Sequence, residues 1–208
     1  MKILLLILIL PVAVFSGEPA PKTCTYQVFN WNIYSKGPVN QGRVVHPYSE
    51  LKPEEKDPGT GCTVCLEDQE LVKAGSVEFY ACRKIVPGLK AALAKLAAAG
   101  APVLEVTGYR PGKTKNPLDK KGNRTGFSNH AYGAAIDINR SKNGLYDKCF
   151  KFGPGCRLIQ GGPWKPGNKG ALSSDSEIVK AMKEAGFKWG GEIEGAQKDF
   201  IHFSPSGY

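Results

Sequence analysis

Six cysteines constrain the fold of this 208-residue chain more than any other feature. All of them follow an apolar leader, and they stand at Cys24, Cys62, Cys65, Cys82, Cys149 and Cys156. An even number of cysteines in an exported chain is typical of disulfides, and six allow 15 pairings. The last two bracket a turn-rich segment that a local bridge would close. We therefore expect a small fold stapled by disulfides.

The segment CTVC at residues 62–65 has two other interpretations, a metal knuckle and a redox motif. A zinc knuckle needs a matched second pair of cysteines, and the spacing of Cys149 and Cys156 is a poor match. A redox motif places its first cysteine at the start of a helix, which the preceding Gly-Thr-Gly does not favour. A structural role in disulfides is therefore the favoured interpretation.

The leader itself has the composition of an export signal. One positive charge precedes an unbroken apolar run over residues 3–10, and small residues follow. We expect a signal peptide over residues 1–17, with cleavage after Ser16, Gly17 or Ala20, so the mature protein would be secreted or periplasmic. The alternative is an uncleaved N-terminal anchor. The run is short for that role, because a membrane span needs about 20 apolar residues.

The charge balance narrows the class of partner. The chain has 28 Lys and Arg against 19 Asp and Glu, a net charge of +9 that falls to +8 when the leader takes one lysine with it. Such an excess in an exported protein favours anionic surroundings, such as cell-wall polymers or lipid headgroups. Nucleic acid is disfavoured because the basic residues are scattered, without a basic helix or an aromatic ladder. We expect a monomer with no membrane span after signal removal.

The pattern along the chain predicts a small α+β domain behind a cysteine-rich extension. Hydrophobic residues at 41% and charged residues at 23% exclude wholesale disorder. Residues 18–84 are rich in turns, and we expect them to pack on the main domain rather than fold alone. Residues 85–208 carry signals for two helices and several short strands. These signals predict a small, mainly antiparallel sheet flanked by helices.

The elements of the main domain are specific enough to be tested. Helices are expected to begin near Pro87 and at a capping box over residues 174–177. Strands are expected at residues 103–107, 134–139 and 199–204. The polar segment 111–125 is predicted to be a loop. The Gly- and Pro-rich segment 141–172 is long for a compact domain and is expected to form a wall of a cleft.

Two of the three histidines have neighbours that suit zinc chemistry. Zinc hydrolases use three protein ligands from His and carboxylate groups and leave the fourth position to water. His130, Asp137 and His202 would supply that set. Asp137 projects from the strand face opposite Ile136 and Ile138, so its carboxylate would meet either solvent or a cation.

Asp199 and Arg110 would complete the chemistry. Asp199 is the carboxylate available to take a proton from the water and pass it to the leaving amine. Because residues i and i+3 of a regular strand face opposite sides, it must lie before the strand or on a bulge to share a site with His202. Arg110 would stabilise a developing oxyanion or hold a substrate carboxylate. The opposing interpretation is that these are ordinary capping, surface or core residues, and His46 in the extension is left outside the site.

The motifs resemble those of the VanY-like D-alanyl-D-alanine carboxypeptidase family. The decapeptide SNHAYGAAID at residues 128–137 is similar to its Ser-x-His-x-x-Gly-x-Ala-x-Asp motif, and DFIHF at residues 199–203 is similar to its Asp/Glu-x-x-His motif. The Trp-Gly-Gly at 189–191 and the Gly-Tyr-Arg at 108–110 also resemble family segments. The resemblance covers residues 85–208, in the family's order and separation.

This resemblance implies a zinc peptidase of bacterial cell-wall peptides, with the α+β fold shared by these enzymes and the hedgehog signalling domain. It implies the following roles: zinc ligands at His130, Asp137 and His202, a general base at Asp199, and a transition-state role for Arg110. Within the same motifs, Ser128, Tyr132 and Trp189 are expected to contact substrate. An Asp in place of Glu as the base is the version found in the L-alanyl-D-glutamate endopeptidase branch.

Three classes of function therefore compete. The first is an exported zinc metallopeptidase that hydrolyses peptidoglycan stem peptides, as a D-Ala-D-Ala carboxypeptidase or an L-Ala-D-Glu endopeptidase. The second is a non-catalytic, zinc-containing module that binds the cell wall. The third is a disulfide-rich binding protein without metal. Asp199 favours the enzyme, because a pure binding site has no need for a carboxylate beside the metal.

Overall fold

The structure is a computed structural model that describes residues 21–207, so the predicted signal peptide lies outside the described residues. The two α-helices of this part of the chain are α1 (Val86–Ala98) and α2 (Glu177–Glu184). Its strands are β1 (Thr23–Asn32), β2 (Gly37–Pro47), β3 (Gln69–Ala74), β4 (Val77–Cys82), β5 (Val106–Thr107), β6 (Lys113–Leu118), β7 (Arg124–Phe127), β8 (Ile136–Ile138), β9 (Gly144–Asp147), β10 (Arg157–Gly161), β11 (Lys188–Trp189), β12 (Lys198–Asp199) and β13 (His202–Ser204). Short 3-10 helices connect several of them. Neither α-helix is long and apolar enough to cross a membrane.

The strands form four small sheets instead of the single sheet expected from the sequence. Their orders are β2-β1-β6-β7, β10-β9-β12, β11-β13-β8-β5 and β3-β4. Every strand pair among the described residues is antiparallel except one parallel contact between β1 and β6. The α+β class with mainly antiparallel pairing is confirmed, and the hedgehog-type fold stays a prediction.

Helix α1 follows from the spacing of its apolar residues. Pro87 lies in the first turn, where a missing N–H costs nothing, and Leu89, Leu93 and Leu96 recur on one face. All three leucines are buried in the core that also contains Ile136 and other apolar residues of β8 and β13. The apolar face of the helix therefore packs into the core that it shares with β8 and β13, while the opposite face of β8 carries the polar Asp137.

Helix α2 begins two residues later than the predicted capping box. Its N-cap is Ser176, whose Oγ accepts a hydrogen bond from the Val179 N–H, so the predicted cap at Ser174 is wrong. Ile178 and Met182 are buried in the same core as α1. The helix ends before Gly186, which adopts the left-handed backbone that glycine tolerates best.

The cysteines form three disulfides, as predicted. The pairs are Cys24–Cys65, Cys62–Cys82 and Cys149–Cys156. Cys62 and Cys65 belong to different bridges, and no cysteine of residues 21–207 is free. The CTVC segment is therefore neither a metal knuckle nor a redox pair.

Three local predictions were wrong in their boundaries. The predicted loop at 111–125 is largely the β6–β7 hairpin, which forms by strand pairing with little apolar burial. The strand expected at 103–107 is limited to β5, and the strand expected at 199–204 is divided into β12 and β13. The irregular segment 141–172 contains the β9–β10 hairpin.

Candidate metal centre

Asp137 lies on β8, in the interior of a four-stranded sheet. The register places His202 of β13 directly opposite it on one side and Thr107 of β5 on the other. Directly opposite residues of an antiparallel pair point to the same face. Asp137 and His202 are therefore brought together by strand pairing alone, while Ile136 and Ile138 point into the core.

His130 reaches the same face from a 3-10 helix, Asn129–Tyr132. Gly133 ends this helix with a φ of 64°, which turns the chain into β8. The His130 Nδ1 lies 2.9 Å from the Gly108 carbonyl oxygen. Because a carbonyl oxygen only accepts hydrogen bonds, this contact places the proton on Nδ1 and turns Nε2 towards Asp137.

The three side chains form a compact donor set. The Asp137 Oδ1 lies 2.9 Å from the His130 Nε2 and 3.3 Å from the His202 Nδ1. One ligand atom from each residue lies within 4.8 Å of the others, and all three residues are buried. Two donors of one tetrahedral zinc are separated by about 3.3 Å at the usual bond lengths. Two imidazoles and a carboxylate at this spacing therefore fit a zinc ion.

The electrostatics of this group favour an ionised carboxylate. Burial alone would raise the pKa of Asp137, but the charges and hydrogen bonds of His130 and His202 hold the pKa well below its ordinary value. The His130 Nε2 and the Asp137 carboxylate would present lone pairs to each other across 2.9 Å unless a proton or a cation lay between them. The arrangement is thus built to hold positive charge.

Asp199 lies on β12, before the strand that carries His202. The break between β12 and β13 removes the difficulty that residues three apart on one strand face opposite sides. Burial raises the pKa of Asp199 to about 6, the charge of Asp137 adds to this effect, and His202 opposes it. Its Oδ1 makes no hydrogen bond within residues 21–207, although the residue is buried. A buried carboxylate in this state is typical of a functional group.

The Trp-Gly-Gly segment packs closely against Asp199 and His202. A Cβ at Gly190 would lie 2.4 Å from the Asp199 carbonyl oxygen, 3.0 Å from the Asp199 Cβ and 3.2 Å from the His202 Cβ. The buried Trp189 donates its indole N–H to the Phe200 carbonyl, at 3.0 Å. Only glycine at position 190 lets the turn approach both Asp199 and His202 so closely.

Arg110 lies at the mouth of the group. Its side chain is 42% exposed, and one guanidinium nitrogen lies 3.3 Å from the Asp137 Oδ2. Its backbone N–H donates to the His130 carbonyl at 3.0 Å. The residue therefore holds the His130 turn through its backbone, and its half-exposed guanidinium can meet a ligand.

The three predicted substrate contacts have different surroundings. Ser128 is buried next to the 3-10 helix, and its side chain makes no capping hydrogen bond. Tyr132 donates its hydroxyl to the Glu54 carbonyl at 2.9 Å, which fastens the motif to the extension. Trp189 lines a cavity that also contains His202. Their substrate-binding roles stay predictions.

The supports of His130 include Tyr80, Gln69 and Cys82, which the sequence analysis did not connect with the site. A Cβ at Gly108 would lie 2.1 Å from the Tyr80 carbonyl, and a Cβ at Gly133 would lie 1.9 Å from the Gln69 Oε1. The Cys82 N–H donates to the Gly133 carbonyl at 2.9 Å. The β3–β4 hairpin thus fixes the turn that carries the histidine. Gly108 and Gly133 both lie in the motifs quoted from the sequence, but nothing in the sequence indicated which atoms approach them.

His46, which the sequence analysis left outside the site, lies elsewhere. Its Nε2 is 3.1 Å from the Glu55 Oε1, and the same carboxylate accepts the Tyr26 hydroxyl at 2.6 Å. The metal-binding candidates among residues 21–207 consist of the His130, Asp137 and His202 group.

Comparison with known proteins agrees with the motifs. Residues 121–205 match a family model described as D-alanyl-D-alanine carboxypeptidase. No curated protein and no solved structure matches the chain. The matched span contains all three candidate ligands and Asp199. The predicted resemblance to the VanY-like D-alanyl-D-alanine carboxypeptidase family is therefore confirmed over residues 121–205.

Proposed function

We propose that this protein is an exported zinc metallopeptidase that hydrolyses peptidoglycan stem peptides. The observation that carries the proposal is the convergence of His130, Asp137 and His202 in a buried group, with the carboxylate of Asp199 beside it. The family match supports a peptidase. The three disulfides and the apolar leader support export.

His130 and His202 would hold the ion through imidazole nitrogens, and Asp137 would hold it through its ionised carboxylate. Zinc, when bound, lowers the pKa of a coordinated water to about 7 and polarises a carbonyl group. The Gly108 carbonyl would keep the His130 Nε2 available by retaining the proton on Nδ1. Strand pairing between β8 and β13 would keep the other two ligands in register.

Asp199 would move the proton of the reaction. With a pKa of about 6 it is ionised at neutral pH and basic enough to accept a proton from water. The protonated carboxyl would then donate to the leaving amine. Arg110 would stabilise the negative charge that develops on the scissile carbonyl oxygen, or hold a substrate carboxylate, with its half-exposed guanidinium.

A cavity of about 590 Å³ borders the candidate ligand His202, and its volume suits a short peptide. Its lining includes His202, Trp189, Gly190, Ile193 and Ser206. Trp189 would offer an apolar edge to the bound peptide, in line with its predicted role. The bond that is cleaved, D-Ala-D-Ala or L-Ala-D-Glu, would be selected by this lining.

We also propose that the extension over residues 18–84 is a structural support for a peptidase domain over residues 85–208. The contacts of Tyr80 and Gln69 with the site glycines support this division of labour. The Cys62–Cys82 bridge joins β4 to the rest of the extension. Without a folded extension, the turn that carries His130 would lose its contacts with Gln69 and Cys82.

The alternative is a zinc-containing module that binds the cell wall without turnover. A binding module would gain nothing from the burial of Asp199, because a buried carboxylate that lacks hydrogen bonds at one oxygen destabilises the fold. Asp199 therefore favours the enzyme over the module.

The test compares three variants of the mature protein for zinc content and for cleavage of peptidoglycan fragments, followed by mass spectrometry. Asp199→Asn should retain about one zinc per chain and lose about 10²- to 10⁴-fold in kcat. His202→Ala should lose both zinc and activity. Asp57→Asn is the matched control, because Asp57 is also buried but accepts its hydrogen bonds from Thr60 and is neither a candidate ligand nor the candidate base.

The outcomes separate the hypotheses. Chelator-sensitive cleavage by the wild type would support the peptidase, and the product masses would identify the bond. Zinc without cleavage of any fragment would favour the binding module. Wild-type turnover by Asp199→Asn would show that Asp199 is not the general base.

A further inference from the structure

A second cavity, of about 420 Å³, adjoins the cavity beside His202, and five of its eleven lining residues are aromatic. The five rings belong to Phe150, Phe152, Trp164, Trp189 and Phe200. None of the motifs that identify the peptidase assigns a role to Phe150, Phe152 or Trp164. This aromatic pocket therefore needs its own explanation.

The floor of the aromatic pocket is rigid. Trp164 stacks on Phe200 with ring centroids 4.0 Å apart and an interplanar angle of 5°. Phe152 meets Trp164 edge-on at 4.6 Å. The Trp164 indole N–H donates to the Leu172 carbonyl at 2.6 Å, so the ring is fixed in its plane. A floor of fixed rings loses little conformational entropy when a ligand binds.

Phe150 projects from the wall of the pocket and is 75% exposed. It lies in the loop that the Cys149–Cys156 disulfide closes, at the end of the β9–β10 hairpin. The Arg157–Asp147 ion pair joins the two strands at the same end. Phe152 on the same loop is also partly exposed, and apolar side chains that are exposed together mark a binding surface.

The remaining lining of the aromatic pocket is polar apart from Gly191. It consists of Lys151, Ser173, Ser174, Glu192 and Lys198. Lipid chains and apolar helices require a continuous apolar wall, which these polar side chains interrupt. A pyranose ring has the matching chemistry, because its C–H face packs on an aromatic ring while its hydroxyl and amide groups bond to charged and hydroxyl side chains.

The aromatic pocket adjoins the cavity beside His202, which is called the cleft below. Trp189 and Glu192 line both cavities, so the turn between them separates the two. On β12, Lys198 borders the aromatic pocket and the adjacent Asp199 faces the opposite side, towards the metal group. A ligand could therefore occupy the pocket while an attached peptide crosses the turn into the cleft.

We propose that the aromatic pocket binds a saccharide, namely an N-acetylated hexosamine unit of the wall glycan that carries the stem peptide. The identity of this saccharide rests on the proposed function, whereas its binding needs neither metal nor turnover. The site would retain the enzyme on the glycan strand while peptides are cleaved from it.

The experiment titrates the ¹⁵N-labelled mature protein with the N-acetylglucosamine tetrasaccharide and follows the indole N–H signals by NMR. The chain has three tryptophans, which a Trp31→Phe variant would help to assign. We expect the Trp164 signal to move on titration and the Trp31 signal to stay in place. Phe150→Ala should weaken the affinity about fivefold or more. Tyr34→Ala is the matched control, since Tyr34 is 76% exposed on the distant β1–β2 hairpin, and its affinity should be unchanged.

Three results would overturn the proposal: no movement of the Trp164 signal, equal affinities for Phe150→Ala and the wild type, or displacement of the saccharide by a free stem peptide. The last result would identify a peptide subsite instead. Because the titration measures binding alone, a protein that fails to cleave peptidoglycan would still give a clear answer here.

Discussion

Replacing Gly190 by alanine would test whether the Trp-Gly-Gly turn positions Asp199 and His202. The added Cβ would lie 2.4 Å from the Asp199 carbonyl oxygen, and real Cβ atoms essentially never approach closer than 3.0 Å. The turn and the Asp199 backbone must therefore separate by at least 0.6 Å, the difference between these distances. The same Cβ would press on the His202 Cβ at 3.2 Å, so both functional residues are displaced.

The magnitude follows from this displacement. A misplacement of about 1 Å in an active site can cost about 10²-fold in rate, so we expect a loss of about 10- to 10²-fold in kcat/KM. Overpacking of this kind costs about 1–3 kcal/mol in the free energy of unfolding. Zinc affinity should fall by about tenfold or more, because the change acts on the residue behind a ligand.

The assay measures kcat/KM on soluble peptidoglycan fragments, zinc affinity by competition with a chelating dye, and unfolding in urea. Gly42→Ala is the matched control, because a Cβ at Gly42 has no atom within 4 Å and its backbone needs no glycine. The control also corrects for the effect of a Gly-to-Ala change on the unfolded chain. If Gly190→Ala keeps the kcat/KM and zinc affinity of the wild type within twofold, the turn does not position the site.

Two further predictions concern stability. Replacing Cys149 and Cys156 by alanine should lower the free energy of unfolding by about 2.4 kcal/mol, because that bridge spans only 7 residues. Urea unfolding measures the loss. A loss near the value of about 3.9 kcal/mol expected for the bridge that spans 41 residues would contradict the loop-entropy argument. The Pro47 carbonyl and Glu55 raise the pKa of His46. The protonated His46 therefore contributes fully to the free energy of unfolding below about pH 6.5, and this contribution is lost as the pH rises through the folded pKa. Burial alone would raise the pKa of Glu55, but its hydrogen bonds lower the pKa below its ordinary value. The ionised Glu55 therefore contributes to the free energy of unfolding above about pH 4.5, and this contribution is lost as the pH falls through the folded pKa. His46→Ala should therefore cost up to about 1 kcal/mol between about pH 4.5 and 6.5 and clearly less at pH 8.5, and a cost that does not change with pH would exclude the ion pair.

The sequence predicted those elements whose local signal and tertiary environment agree. The leucine spacing of α1 and the alternation of β8 each match a buried face, so both were found. Most residues of the β6–β7 hairpin are polar or charged, and its strands form because neighbouring strands pair with them. A strand is recognised in a sequence by the alternation of apolar and polar residues that burial of one face requires. A hairpin that buries little apolar surface therefore resembles a loop in its sequence.

The candidate site was predictable in its side chains and unpredictable in its supports. His130, Asp137 and His202 are rare residue types in recognisable motifs, and strand pairing brings two of them opposite each other. Gly108 and Gly190 matter only because of atoms that approach them from distant segments. Such close approaches are a property of the folded chain, and a glycine in a turn looks the same whether or not anything lies against it.

The backbone contacts that hold His130 matter for any attempt to move the candidate metal site into another protein. The span that the family model recognises begins at residue 121, after Gly108 and Arg110, whose backbone groups hold the histidine. A graft cut at the borders of that span would carry every candidate ligand and still lose the carbonyl that sets the tautomer of His130. The portable module therefore extends back to β3, and chimeras should be joined upstream of Gln69.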